Sequence, residues 1–205
     1  AMSAPMRLVV LVSGNGSNLQ AILDACESGI LSAEVVAVVS NKHSVKALER
    51  AESAGVPAVV VSAVAGETRA EYDTRLTSVV SSFMPDFVVL AGYMRILSME
   101  FLSWFPGQVV NLHPSLPGDI VGVGAIEKAY AEFQSGIRDH SGVMVHFVPD
   151  EGVDSGPVLA SARVEIAHDD TLVTFEEKMH LQEHKLLVEV LRELSVKYTK
   201  VGEPS

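Results

Sequence analysis

Apolar residues fall into two alternating patterns along this chain. Short unbroken runs cover Arg7 to Val12 (RLVVLV), Glu34 to Val39, Pro57 to Ser62 (PAVVVS), Phe87 to Ala91 and Val109 to His113. Runs this short and this rich in β-branched residues predict strands buried on both faces, as in a parallel sheet. Between them, apolar positions recur at helical spacing. They do so from Leu19 to Ala25, from Ser44 to Gly55, and from Thr68 to Phe83, where Tyr72, Leu76, Val79, Val80 and Phe83 form the apolar stripe. Ser44 is placed to cap its helix and Gly55 to stop it. Beyond the fifth run, Ala125 to Gln134 reads as a helix. Ser141 to Val148 and Val158 to Ile166 read as strands joined by an acidic turn, and Leu172 to Val196 as a long final helix. The alternation predicts an α/β fold: a doubly wound, mostly parallel sheet with helices on both faces, right-handed crossovers and an antiparallel edge strand. No repeat or linker divides the chain. One domain over 6–199 is expected, with flexible termini at 1–5 and 200–205.

Two strand ends carry candidate chemistry. The first strand runs straight into Ser13-Gly14-Asn15-Gly16-Ser17-Asn18 and then a helix. Glycines permit close backbone approach and the helix start offers free amides, so this turn suits an anion, most naturally a phosphate. It is not a dinucleotide fingerprint: Leu19 stands at the third glycine position, and the second strand ends in Ser40-Asn41-Lys42 rather than an acidic residue. It is not a Walker loop either, lacking Gly-Lys-Ser/Thr. A single phosphate monoester fits better. The fifth strand ends in Asn111-Leu112-His113, and Pro114 stops it. Alternate strand residues share a face, so the amide and the imidazole point the same way. Such a pair can stabilise an oxyanion and move a proton near neutral pH.

Composition narrows the classes. Of 205 residues, 48 % are hydrophobic and 20 % charged, enough for a sizeable core, and the net charge is −11. That acidity argues against broad nucleic-acid binding, which needs basic surface. Cys26 is the single cysteine, so neither an intrachain disulfide nor a cysteine-rich metal site can form, and a reduced, cytoplasmic setting is expected. No apolar run is long enough to span a membrane, and no signal peptide precedes the first strand. His43, His140 and His146 read as ordinary packing or surface histidines. His180 and His184, with Glu183, lack the spacing of a zinc-protease helix, and no metal is expected.

Taken together, Ser13–Asn18, Gly92-Tyr93-Met94-Arg95-Ile96-Leu97, Asn111-Leu112-His113-Pro114-Ser115-Leu116, and Gly142–Val148 followed by Asp154-Ser155-Gly156 resemble the phosphoribosylglycinamide formyltransferases, the folate-dependent transformylases of purine synthesis. The likeness covers nearly the whole chain and implies a formyltransferase-like fold. It also implies formyl transfer from 10-formyltetrahydrofolate to the amino group of glycinamide ribonucleotide. Asn111, His113 and Asp154 would form the catalytic trio. Gly14, Asn15, Gly16, Ser17 and Asn18 would hold the ribonucleotide phosphate, and Glu183 the ribose hydroxyls. The folate would lie against Met94, Arg95, Ile96, Leu97, Asn111 and the turn Pro149, Asp150, Glu151, Gly152, Val153 and Asp154, with Arg69 on the same side. The partners expected are these two small molecules, with no nucleic acid and no membrane, and the protein a monomer or homodimer.

The chain departs from the family pattern twice. The turn before Asp154 is one residue longer, with Gly152 the apparent insertion. After Leu116 the sequence Pro117-Gly118-Asp119-Ile120-Val121-Gly122 replaces the usual Leu-Leu-Pro and Gly-x-His elements, and no residue of this loop is assigned a role. Among related enzymes, an initiator-tRNA formyltransferase would bring a further C-terminal domain and basic surface. A formyl-folate hydrolase would bring an N-terminal regulatory domain. A noncatalytic binding module on the same sheet is the alternative from another class; the presence of Asn111, His113 and Asp154 together argues against it.

Overall fold

The computed structural model describes residues 4–202; the expectations for 1–3 and 203–205 lie outside the described residues. In chain order the elements are β1 (Met6–Val12), α1 (Ser17–Glu27), β2 (Ala33–Ser40), α2 (Lys46–Ser53), β3 (Ala58–Val60), α3 (Arg69–Ser82) and β4 (Phe87–Leu90). There follow α4 (Met99–Leu102), β5 (Val109–His113), α5 (Ala125–Gln134), β6 (His140–Phe147), β7 (Val158–Glu165) and α6 (Leu172–Gly202). The seven strands form one sheet in the order β3-β2-β1-β4-β5-β6-β7. Strands β3 to β5 in that order are parallel, and β6 and β7 add an antiparallel hairpin at the edge.

Alternation along β1 explains the two-faced core. Met6, Leu8, Val10 and Val12 pack under α1, α2, α5 and α6, whereas Val9 and Leu11 pack under α3 and α4. The strand order turns back between β1 and β4, because β2 and β3 go one way and β5 to β7 the other. A crevice opens at such a switch point, at the carboxyl ends of the strands. The loops that follow β1, β4 and β5 all leave there.

Three local expectations change. Ser44 does not cap α2: it sits in the left-handed region at φ 57°, and extended Val45 takes the cap position, so the helix starts only at Lys46. The segment before β5 contains the short helix α4, whose Phe101 and Leu102 fill the second core. The last helix runs to Gly202, past the boundary drawn at 199, since no glycine or proline interrupts it before Gly202 and Pro204. Thr68 caps α3, its Oγ1 accepting from the Glu71 N–H at 3.1 Å.

Gly16 shows why the first turn needs its glycine. It adopts φ 78°, and a Cβ there would stand 2.6 Å from Ala47 Cβ and 2.8 Å from Ala47 Cα, on α2. Gly16→Ala should therefore cost about 1–3 kcal/mol through backbone strain and overpacking. A urea midpoint unchanged from the parent protein would contradict this reading of the turn.

Candidate functional site

The loop from Gly14 to Asn18 is held from two sides, by α2 and by α6. Arg50, on α2, donates to Asn15 O at 2.8 Å and to Asn15 Oδ1 at 2.9 Å. The Ala47 N–H donates to Gly14 O at 3.1 Å. From α6, Glu183 Oε2 accepts from Asn18 Nδ2 at 3.0 Å, and His184 Nε2 lies 3.1 Å from Ser17 Oγ. The start of α1 has no side-chain cap, so its first amides remain available to a ligand. Glu183 is only 5 % exposed, and its second oxygen faces His180 Nδ1 at 3.1 Å. That carboxylate raises the His180 imidazole above its ordinary value. The family resemblance gave Glu183 to the ribose hydroxyls; the sequence offered no signal for Arg50 as the brace of Asn15, since a helix-surface arginine is usually solvated.

The loop after β4 is tied to the first by Ser13, whose Oγ accepts from the Met94 N–H at 2.8 Å. Its far end is pinned by buried Asp73, which accepts from the Ser98 N–H at 2.7 Å and from Ser98 Oγ at 2.6 Å. Between these anchors Met94 is 58 % and Ile96 54 % exposed, whereas Leu97 is 3 % exposed and its side chain belongs to the second core. Arg95 turns back to place its guanidinium 3.7 Å from the centre of the Tyr72 ring. Arg69 joins the pieces: its Nε donates to Ile96 O at 3.2 Å and its Nη2 lies 3.1 Å from Glu151 Oε1. The start of α3, the loop after β4 and the acidic turn thus share one wall.

The end of β5 faces this wall. Asn111 and His113 share the face of Val109, beside Met144 and His146 of antiparallel β6. Asp154 reaches them from the acidic turn, its backbone in the left-handed region at φ 52°. Its Oδ1 accepts from Asn111 Nδ2 at 3.4 Å, and its Oδ2 stands 3.4 Å from His113 Nδ1. The other His113 nitrogen, Nε2, donates to Ile120 O at 2.7 Å. The loop after Leu116 therefore closes on the trio, and the Gly122 N–H donates to Asp154 Oδ2 at 2.8 Å. Arg138 anchors that loop through both Asp119 oxygens, each at 2.8 Å. Ser115 is a loop brace whose Oγ accepts from the Ile120 N–H at 2.9 Å.

His146, read from sequence as a packing histidine, belongs to the cluster. Its Nδ1 donates to Phe147 O at 2.8 Å, which leaves Nε2 to accept from Asn111 Nδ2 at 3.2 Å. The only signal was its place on the Met144 face of its strand; the antiparallel register that sets it opposite Asn111 is tertiary. Burial pushes the Asp154 carboxyl up, but the adjacent His146, the Gly122 N–H and His113 together outweigh burial and hold it below its ordinary value. Gly156 lets the turn close, for a Cβ there would run into Phe147 O. In the lengthened turn, the Gly152 N–H donates to Asp150 Oδ1 at 2.9 Å. Among the described residues, no group of three or more His, Cys, Asp or Glu side chains is set to hold a metal ion.

Residues 6–191 match the family model described as formyl transferase. The chain is 41 % identical over 203 residues to a phosphoribosylglycinamide formyltransferase of Dictyostelium discoideum, covering 93 % of this chain and 98 % of that one. The chain belongs to the formyl transferase family, on its phosphoribosylglycinamide formyltransferase branch. The enzyme of that name from Escherichia coli is 42 % identical over 181 residues, with 88 % and 83 % covered. Among solved structures, a glycinamide ribonucleotide transformylase of Symbiobacterium toebii superposes with a TM-score of 0.88 at 34 % identity, covering 96 % of this chain and 90 % of that one. This member of the family is thus a formyl-group transferase on a formyltransferase fold, as its motifs implied. No described helix is long and apolar enough to cross a membrane.

Proposed function

We propose that this formyltransferase moves the formyl group of 10-formyltetrahydrofolate to the amino group of glycinamide ribonucleotide, a step of purine synthesis, in a cytoplasmic setting. One observation carries the reading. Asn111, His113 and Asp154 form a single contact cluster at the switch point, between an amide-rich turn and a half-apolar wall. Exposed Met94 and Ile96 offer the wall a flat ring would cover, and half-exposed Arg69 stands beside it to meet carboxylates. These residues fit a folate, which supplies the formyl group when bound.

The chain's own groups then have defined work. Negative charge grows on the formyl oxygen as the amine attacks. Asn111 Nδ2–H is the donor for that oxygen, and its long 3.4 Å contact to Asp154 is the one it can exchange. Such a donor is worth roughly 10²–10³ in rate. His113 carries the proton from the attacking amine towards the departing nitrogen, which requires its Nε2 to leave Ile120 O. Asp154 orients the ring and balances its charge. His146 accepts from Asn111 and so fixes the direction of that amide. No covalent enzyme intermediate is needed, and Ser115 is occupied as a loop brace.

Glu183 completes the ribonucleotide side, facing the ribose hydroxyls while it holds Asn18. Glu183→Ala should weaken ribonucleotide binding roughly tenfold or more, because a buried charged acceptor is lost, and leave the folate Michaelis constant alone. Unchanged ribonucleotide affinity would contradict the placement. The reaction itself is tested by incubating purified protein with both substrates and following tetrahydrofolate release and formylated product. Transfer that needs both substrates supports the proposal. Release without the ribonucleotide indicates a hydrolase, and no release indicates a binding module or another acceptor.

A further inference from the structure

We propose that His184 is a positioning residue for the ribonucleotide: its Nε2–H donates to Ser17 Oγ and so turns the Ser17 hydroxyl proton towards the phosphate. The inference rests on the reading of Gly14–Asn18 as the phosphate loop. The two groups lie 3.1 Å apart although 167 residues separate them, one on the last helix and one opening the first. The contact is therefore built by the fold rather than by local chain geometry.

The direction of this hydrogen bond decides what Ser17 offers to an anion. A serine hydroxyl has a single proton and two lone pairs. If His184 Nε2 is bare, it takes that proton, and Ser17 shows only lone pairs to an anion. If Nε2 carries its proton, it donates to Oγ, and the Ser17 O–H is free for the phosphate beside the open amides of α1. Only the second arrangement attracts a phosphate. Choosing it needs no net charge on the ring, since the neutral imidazole can carry its proton on either nitrogen. The charged groups around His184 agree with a neutral ring. Glu183 and His180 lie on its own helix and Arg50 on α2, while α1 presents the Ser17 hydroxyl. Glu183 is already engaged by Asn18 and His180, and Arg50 by Asn15. Burial, the largest influence, pushes the His184 imidazole below its ordinary value. His184 thus acts through its tautomer, relaying the phosphate's demand for a donor through Ser17.

The test compares Michaelis constants for glycinamide ribonucleotide and for the corresponding ribonucleoside, which lacks the phosphate. His184→Leu should raise the ribonucleotide constant roughly tenfold, the worth of a hydrogen bond to a charged group. The ribonucleoside constant, kcat and the folate constant should hold. His184→Gln, whose amide can still donate to Oγ, should recover most of the loss. In a Ser17→Ala background, His184→Leu should add nothing further. A leucine variant with its phosphate preference intact, or a loss that persists at full size without the Ser17 hydroxyl, overturns the inference and leaves the phosphate loop standing. A parent protein that does not distinguish ribonucleotide from ribonucleoside overturns the phosphate reading and this inference together.

Discussion

His113→Ala should lower kcat by roughly 10²–10⁴-fold, the range for loss of a positioned proton-transfer group, in a protein that still folds. His113 is 5 % exposed at the end of β5, and its ring donates to Ile120 O while facing Asp154. Removing the ring leaves that carbonyl without its donor, a penalty of about 1–3 kcal/mol. The sheet pairing of β5 uses backbone groups and survives. The other imidazole of the cluster is no substitute. His146 is enclosed, its Nδ1 is committed to Phe147 O and its Nε2 to Asn111, so it has no free nitrogen to move a proton to substrate. Steady-state kinetics beside a circular dichroism melt separates the two effects. Near-native turnover in a folded variant would sink the assignment of His113.

Asp154→Asn should lower turnover by a similar order, roughly 10²–10³-fold, and change the acid side of the stability profile. The substitution suits the backbone, because asparagine tolerates the left-handed conformation seen at φ 52°. It preserves shape and removes the charge that faces both imidazoles. The sign follows from the lowered carboxyl. Burial opposes ionisation, yet the adjacent His146, the Gly122 N–H and His113 together win. A depressed carboxyl contributes stability that is fully present above the ordinary value near 4 and disappears as pH falls through the lower folded value. Parent and variant should therefore differ in urea midpoint between about pH 5 and 7 and converge below about pH 4. A difference that stays constant down to pH 3, or turnover within a few-fold of the parent, would remove Asp154 from the role given to it.

Much of this was legible in the sequence because it depends on local periodicity. Unbroken Val and Leu runs place β1, β2, β4 and β5, and helical spacing places α1, α3, α5 and α6. Strand alternation alone puts Asn111 and His113 on one face, and Pro114 ends the strand there. The glycine turn is likewise local, since two glycines between a strand run and a helical run mark it, and Gly16 takes φ 78° there. Motif order added the expected site residues Asp154, Glu183 and Arg69; in the structure Asp154 meets Asn111 and His113, Glu183 meets Asn18, and Arg69 meets Ile96 and Glu151.

What the tertiary structure decided is everything that depends on which strand lies beside which. His146 entered the cluster because β6 runs antiparallel to β5 with His146 opposite Asn111, and no local pattern encodes that register. The loop after Leu116 closed on His113 because Arg138, beyond α5, grips Asp119. Arg50 braces Asn15 and His184 meets Ser17 across long chain separations, and Leu97 is taken into the second core rather than shown to a ligand. The physical reason is range. Periodicity and turn chemistry act over a few residues, whereas the direction of a hydrogen bond and the burial of a side chain depend on partners that only the packed sheet and its helices bring within 3 to 4 Å.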